Sequence, residues 1–242
     1  MNTHKSQAEH HAGLFRMLTL ATLCCGMLVA GRLWLKWQTL PEISSWQEFV
    51  EARGATYLFL IWNLFLAWIP YFAALRFSKL QSQGSGWFSR AFCFCIWLLF
   101  LPNAPYIITD FLHLGHKPPI PLWYDLVLLF ACASTGLLLG LLSLYNMHQA
   151  LRRQFSKVFA QAIILTSIGL SGFGIWLGRF QRWNSWDAIA RPDALLLDLM
   201  NTLTTWHELV RAVGVSVLLS GILLIGYGIL VAIMGNQTTA KS

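Results

Sequence analysis

Apolar residues run almost unbroken through six stretches of the chain, about residues 14–35, 55–75, 87–108, 122–145, 158–178 and 212–234. Each is long enough to cross a hydrocarbon layer of about 30 Å, which takes about 20 helical residues. Lipid offers a backbone no hydrogen-bond partner, so every stretch is predicted to be a helix. The first follows Lys5 and Arg16, as the core of a secretory leader would. Arg32 and Lys36 come soon after it and the cleavage signal is poor, so it is read as a span. Two further segments alternate at helical period. In 41–53, Pro41 precedes Ile43, Trp46 and Val50 on one face, with Glu48 and Glu51 elsewhere. In 192–211, Pro192 precedes Leu195, Leu199, Leu203, Trp206 and Val210, opposite Asn201, Thr205 and Glu208. Proline suits the first turn, where its missing N–H would be unpaired anyway. Both segments are expected to be amphipathic helices lying on the membrane surface or packing over the bundle. The expected fold is an all-α membrane protein, a six-transmembrane-helix bundle with two interfacial amphipathic helices. One domain would span 14–234, between a mobile tail at 1–13 and another tail at 235–242.

Composition excludes a water-soluble fold. Of 242 residues, 56% are hydrophobic and 11% charged, against about 25% charged in soluble domains. The net charge of +7 does not indicate nucleic acid, because the 17 Lys and Arg stand at the ends of apolar runs and build no basic face. The partner they suit is the lipid bilayer. Five cysteines lie inside apolar runs without CxxC spacing and read as small hydrophobes.

Six passes put both termini on one side. Nine basic residues fall on that side and eight on the other, but the dense loops 76–90 and 146–157 each carry three and no acid. These loops and both termini are therefore expected in the cytoplasm. Nine of the ten acids then share the outer face, Glu9 being the exception. Gly136 and Gly140, Gly174 and Gly178, and Ala212, Ser216 and Ser220 are small residues four apart, suited to close helix packing in the bundle or in a homo- or hetero-oligomer.

No ionisable residue stands in the central part of any span, which argues against ion-coupled transport and against a haem held across the bilayer; no cofactor is expected. The polar chemistry gathers at the outer rim. Span three leaves through Leu-Pro-Asn-Ala-Pro-Tyr-Ile-Ile-Thr-Asp, residues 101–110. Pro102 and Pro105 release the carbonyls of Leu98 and Leu101, which Asn103 is placed to satisfy. If the chain stays helical, Asn103, Tyr106 and Asp110 form one stripe. Asp110 would then end a helix, where the macrodipole disfavours an anion and calls for a cationic partner. The second motif is Gly-Arg-Phe-Gln-Arg-Trp-Asn-Ser-Trp-Asp, residues 178–187. Arg179, Arg182, Trp183, Asn184 and Trp186 suit an anionic ligand, with Asp187 closing the motif as a further candidate binding residue, and the arginines and tryptophans equally suit plain headgroup anchoring. Asp110 pairing with Arg179 or Arg182 is the contact expected between the motifs. Asp125, in the first turn of span four, is stabilised by the helix dipole. Asn63, inside span two, should hydrogen-bond a neighbouring helix. Asp110, His113 and His116 step by three residues, which no single helix face presents together, so no metal site is assigned.

Residues 101–110, Trp123-Tyr124-Asp125 and residues 178–187 together resemble an uncharacterised family of bacterial multi-pass membrane proteins, known as domain of unknown function 1361. The likeness runs from about span two through span six. It implies a bacterial inner-membrane location and brings no reaction, substrate or catalytic residue. From the residues themselves, the leading expectation is binding, with or without modification, of an anionic or lipid-linked envelope molecule at the outer-leaflet rim. Arg179 and Arg182 would hold the anion, Asp110 would act as acceptor or general base, and Asn103 and Tyr106 would orient it. A transporter or channel component and a non-catalytic scaffold are the alternatives.

Overall fold

The computed structural model describes residues 2–39, 57–115 and 120–239. The expected helix at 41–53, and with it His116 and Lys117 of the later loop, lies outside the described residues. Among them there is no β-strand. The helices are α1 (Asn2–Thr39), α2 (Phe59–Ser82), α3 (Trp87–Phe100) and α4 (Asn103–Tyr106), followed by a 3-10 helix (Ile107–His113). Then come α5 (Leu122–Arg152), α6 (Lys157–Phe180), α7 (Asp187–Ala190), α8 (Pro192–Thr204) and α9 (Trp206–Thr239). Six stretches are long and apolar enough to cross a membrane: Ala12–Gln38, Phe59–Ser82, Trp87–His113, Leu122–Arg152, Lys157–Phe180 and Trp206–Met234. The chain is an integral, multi-pass membrane protein.

Two expectations about helix continuity change. Span three does not stay α-helical past its prolines. The helix stops at Phe100, resumes for one turn, and tightens to 3-10 geometry from Ile107. Asn103 Nδ2 satisfies the Phe100 carbonyl at 3.1 Å, rather than that of Leu98 or Leu101, and the Ala104 N–H takes Leu101's. Asp110 therefore sits inside a 3-10 turn, and the argument from a long helix dipole does not reach it. The segment 192–211 is also not one helix. Pro192 opens α8 as expected, but Thr205 turns extended (φ −99°, ψ 107°) and its carbonyl accepts the first hydrogen bond of α9, from Leu209. Thr204 Oγ1 loops back to the Met200 and Asn201 carbonyls, a competition with regular helix that ends the element there. Trp206 and Val210 thus belong to α9.

The described residues gather into two compact units. The first comprises Met1–Phe65 and Ile107–Gly136. In it Tyr124 Oη donates to the Leu28 carbonyl at 2.8 Å, and Cys25 Sγ lies 3.6 Å from Thr135 Oγ1, so polar side chains as well as apolar ones join α1 to α5. The second comprises Leu66–Tyr106 and Leu137–Ser242. Its core is built from Ala74 and Phe77 of α2, Trp97 of α3, Leu144 and Met147 of α5, Ile164 of α6 and Leu223 of α9. The small residues of the sequence are used inside the chain. A side chain at Gly174 would reach within 2.6 Å of the Pro102 ring, and one at Gly172 would collide with Ser220 and the Ser216 carbonyl. His148 of α5 and Tyr227 of α9 share a short hydrogen bond in the same unit.

Candidate functional site

The candidate residues fall into two groups, one in each unit, and each is built by its own elements. In the first unit the 3-10 helix buries Asp110, 1% exposed, and Asn63 of α2 donates its amide to Asp110 Oδ2 at 3.0 Å. Asn63 does find a neighbouring element, as its cost in lipid requires, but the acceptor is a carboxylate and not a freed carbonyl. Asp125 begins α5 and is equally buried. Arg32 of α1 meets it side-on, Nε to Oδ1 at 2.6 Å and Nη2 to Oδ2 at 3.0 Å. Tyr57 closes the other face: its ring centre lies 4.4 Å from the guanidinium carbon, and its hydroxyl donates to the His113 carbonyl at 3.0 Å. Burial, and next the charge of Asp125, push the Tyr57 phenol above its ordinary range, so it stays a neutral donor. Its backbone is left-handed (φ +54°), an unusual conformation for an aromatic residue. Lys36, one turn beyond Arg32, is buried too.

In the second unit the two motifs come together. Asn103 Nδ2 donates to Ser185 Oγ at 2.8 Å, and Arg179 stacks its guanidinium 4.5 Å from the centre of the Tyr106 ring. Gly178 permits this approach, since a Cβ there would stand 3.2 Å from the Tyr106 ring and 3.5 Å from the Trp183 carbonyl. Beyond Phe180 the chain reverses: the Trp183 N–H returns to the Leu177 carbonyl at 3.2 Å, which sets Arg182 at φ +60° with its side chain exposed. Trp183 Nε1 then donates to Asp198 of α8, and Arg191 lies over the same indole.

Asn184 and Asp187 bond each other. The Asn184 N–H and Nδ2 both donate to Asp187 Oδ2, at 2.8 and 3.1 Å, and Arg191 Nη2 reaches Oδ1 at 3.2 Å. These donors, the Asn184 backbone first, hold the Asp187 carboxyl below its ordinary range. The folded-state value being depressed, the contribution is complete above the usual carboxylate value of about 4 and is lost as pH falls through the lower folded value. Acidification below about pH 4 should therefore loosen the 184–191 turn, seen as faster exchange of the Asn184 amide, and Asp187→Asn should remove that acid-dependent step. Acid sensitivity persisting unchanged in Asp187→Asn would assign it elsewhere.

Sequence reasoning missed Arg32, Lys36 and Tyr57, and it missed that Asp198 and Arg191 clasp Trp183. The signal for Arg32 and Lys36 was their spacing of four at the end of an apolar run, one helix face, which was read as flanking charge. Among the described residues no three His, Cys, Asp or Glu side chains gather to hold a metal ion.

No curated protein and no solved structure matches the chain. The family described as "Protein of unknown function (DUF1361)" matches residues 62–225, a stretch that holds Asn63 and Asp110, Asp125, and the whole of both rim motifs, and the chain belongs to that family.

Proposed function

We propose that this membrane protein recognises an anionic ligand at its tryptophan-rich rim, with Arg182 as the cation that meets it. The observation that carries the reading is the state of Arg182 itself. Its backbone lies where a non-glycine residue costs about 1–2 kcal/mol and glycine costs almost nothing. Its side chain is exposed and enters no ion pair among the described residues. Strained backbone positions cluster at binding sites, and a free guanidinium fits carboxylate or phosphate in two-pronged fashion. Arg179, three residues earlier in the chain, is held against the Tyr106 ring. The Asn103–Ser185 and Asn184–Asp187 bonds stiffen the loop that bears Arg182. We assign this rim to the outer face of a bacterial inner membrane, with both chain ends in the cytoplasm. Support comes from the basic, acid-free connections after α2 and α5, with Arg76, Lys79 and Arg90 around one and Arg152, Arg153 and Lys157 around the other.

Arg182→Gly separates binding from folding, because glycine relieves the backbone while deleting the charge. The variant should unfold at the same temperature as the parent or slightly above it. Its affinity for a short alkyl phosphate, followed by tryptophan fluorescence, should fall about tenfold or more, the worth of a charge-assisted bond. Arg182→Lys should fall between, keeping the charge and losing the planar fork. Equal binding by the parent and Arg182→Gly sinks the reading.

A further inference from the structure

The two ends of α6 meet opposite charge. Every acid of the second unit falls within residues 187–208, which follow the C-terminal end of α6. The N-terminal end meets Arg76, Lys79, Arg90, Arg152, Arg153 and Lys157, and residues 66–106 and 137–186 hold no Asp or Glu. Two hydrogen bonds tie this basic end together: Arg90 Nη1 donates to Gln154 Oε1 at 2.9 Å, and Arg153 Nη1 to Ser78 Oγ at 3.3 Å. Lys157 opens α6, and from it a shallow groove runs along the helix, lined by Lys157, Val158, Gln161, Ala162 and Leu165. Along the axis Gln161 stands about 6 Å beyond Lys157, and Leu165 about 12 Å. The groove thus passes from an ammonium through an amide to apolar side chains, on the flank of a membrane span. Neither Lys157 nor Gln161 has a side-chain hydrogen bond or ion pair among the described residues. We propose that this groove binds an anionic glycerophospholipid, its phosphate on Lys157, its ester-linked glycerol at Gln161 and one acyl chain along Val158, Ala162 and Leu165. The order of the groups selects that occupant. Inorganic phosphate would use Lys157 alone. A fatty acid would lay bare methylenes against the Gln161 amide, whose polar atoms would then go unmet in lipid. A zwitterionic phospholipid brings its own cation to the six already there, whereas a net negative headgroup gains about fivefold for each Lys or Arg near the surface.

The test is native mass spectrometry of the full chain in detergent, titrated in turn with dioleoyl phosphatidylglycerol, dioleoyl phosphatidylcholine and glycerol phosphate. The parent should hold its first phosphatidylglycerol about fivefold more tightly than phosphatidylcholine, and glycerol phosphate far more weakly than either. Lys157→Gln should bring phosphatidylglycerol down to the level of phosphatidylcholine. Lys79→Gln removes the same charge from the same end at a residue that does not line the groove, and should cost about twofold at most. Ala162→Trp fills the groove and should weaken both lipids. All three positions are exposed, so the fold is kept. Equal retention of the two lipids by the parent overturns the inference, as does a Lys157→Gln variant that keeps the parent's preference. A Lys79→Gln loss as large as that of Lys157→Gln would assign the attraction to the whole basic end, and no site at the groove would stand. Parent-like lipid binding by Ala162→Trp, or glycerol phosphate held as tightly as the intact lipid, would remove the acyl chain from the groove and overturn it too.

Discussion

Asp125→Ala should destabilise the protein by about 3–5 kcal/mol, because it strands the Arg32 guanidinium in a place closed to solvent. The two side chains are 5% and 1% exposed, and their contact at 2.6 Å is backed by a second at 3.0 Å. The Tyr57 ring under Arg32 cannot stand in for the lost carboxylate, since a cation–π contact is worth about 0.5–2 kcal/mol. The reverse change, Arg32→Met, should be somewhat milder. It leaves Asp125 in the first turn of α5, where the helix dipole returns about 0.3–1 kcal/mol to an anion. Arg32→Met combined with Asp125→Leu should recover most of the loss, as apolar replacements of a buried pair often match it. Thermal unfolding in detergent of the two single variants and the double one measures this. A double variant as unstable as Asp125→Ala alone would mean that Arg32 and Asp125 do not act as one unit.

That pair also shows where a sequence stops being legible. The six spans could be read because lipid leaves a backbone one choice and the hydrocarbon thickness sets its length. The break in span three could be read from Pro102 and Pro105, which remove donors whatever surrounds them. Arg32, by contrast, looks like any flanking charge until α1 is seen to run on to Thr39 and a carboxylate 93 positions away is brought to it. The same limit applied at the rim. Arginine and tryptophan were recognisable there, but whether Asn184 and Asp187 point at a ligand or at each other depends on one tight turn. The apolar period of 192–211 overran Thr205 because Trp206 and Val210 continue it numerically, while local hydrogen bonds from Thr204 end α8. Period reports which residues can share a face, and capping decides whether they do.

The 12 tryptophans pose that question most sharply, since composition alone makes them all look like headgroup anchors. Trp97 should behave otherwise. It is wholly enclosed in the second unit, against residues of the core that includes Phe77, Leu144 and Ile164, and its indole N–H donates to Ser143 Oγ at 2.7 Å. Trp97→Ala should cost about 3–5 kcal/mol, the sum of lost burial and the cavity left between packed helices. Trp97→Phe keeps most of the volume and removes the donor. Ser143 can then turn to a carbonyl four residues back, as Ser167 does with Ile163, so the cost should fall to about 1–3 kcal/mol. Trp87, 74% exposed at the start of α3, supplies the contrast: Trp87→Ala should stay within about 0.5 kcal/mol of the parent. Unfolding temperatures of the three variants in one detergent give the order directly. A Trp87→Ala loss equal to that of Trp97→Ala would reverse the division between an indole that builds the bundle and one that meets the lipid.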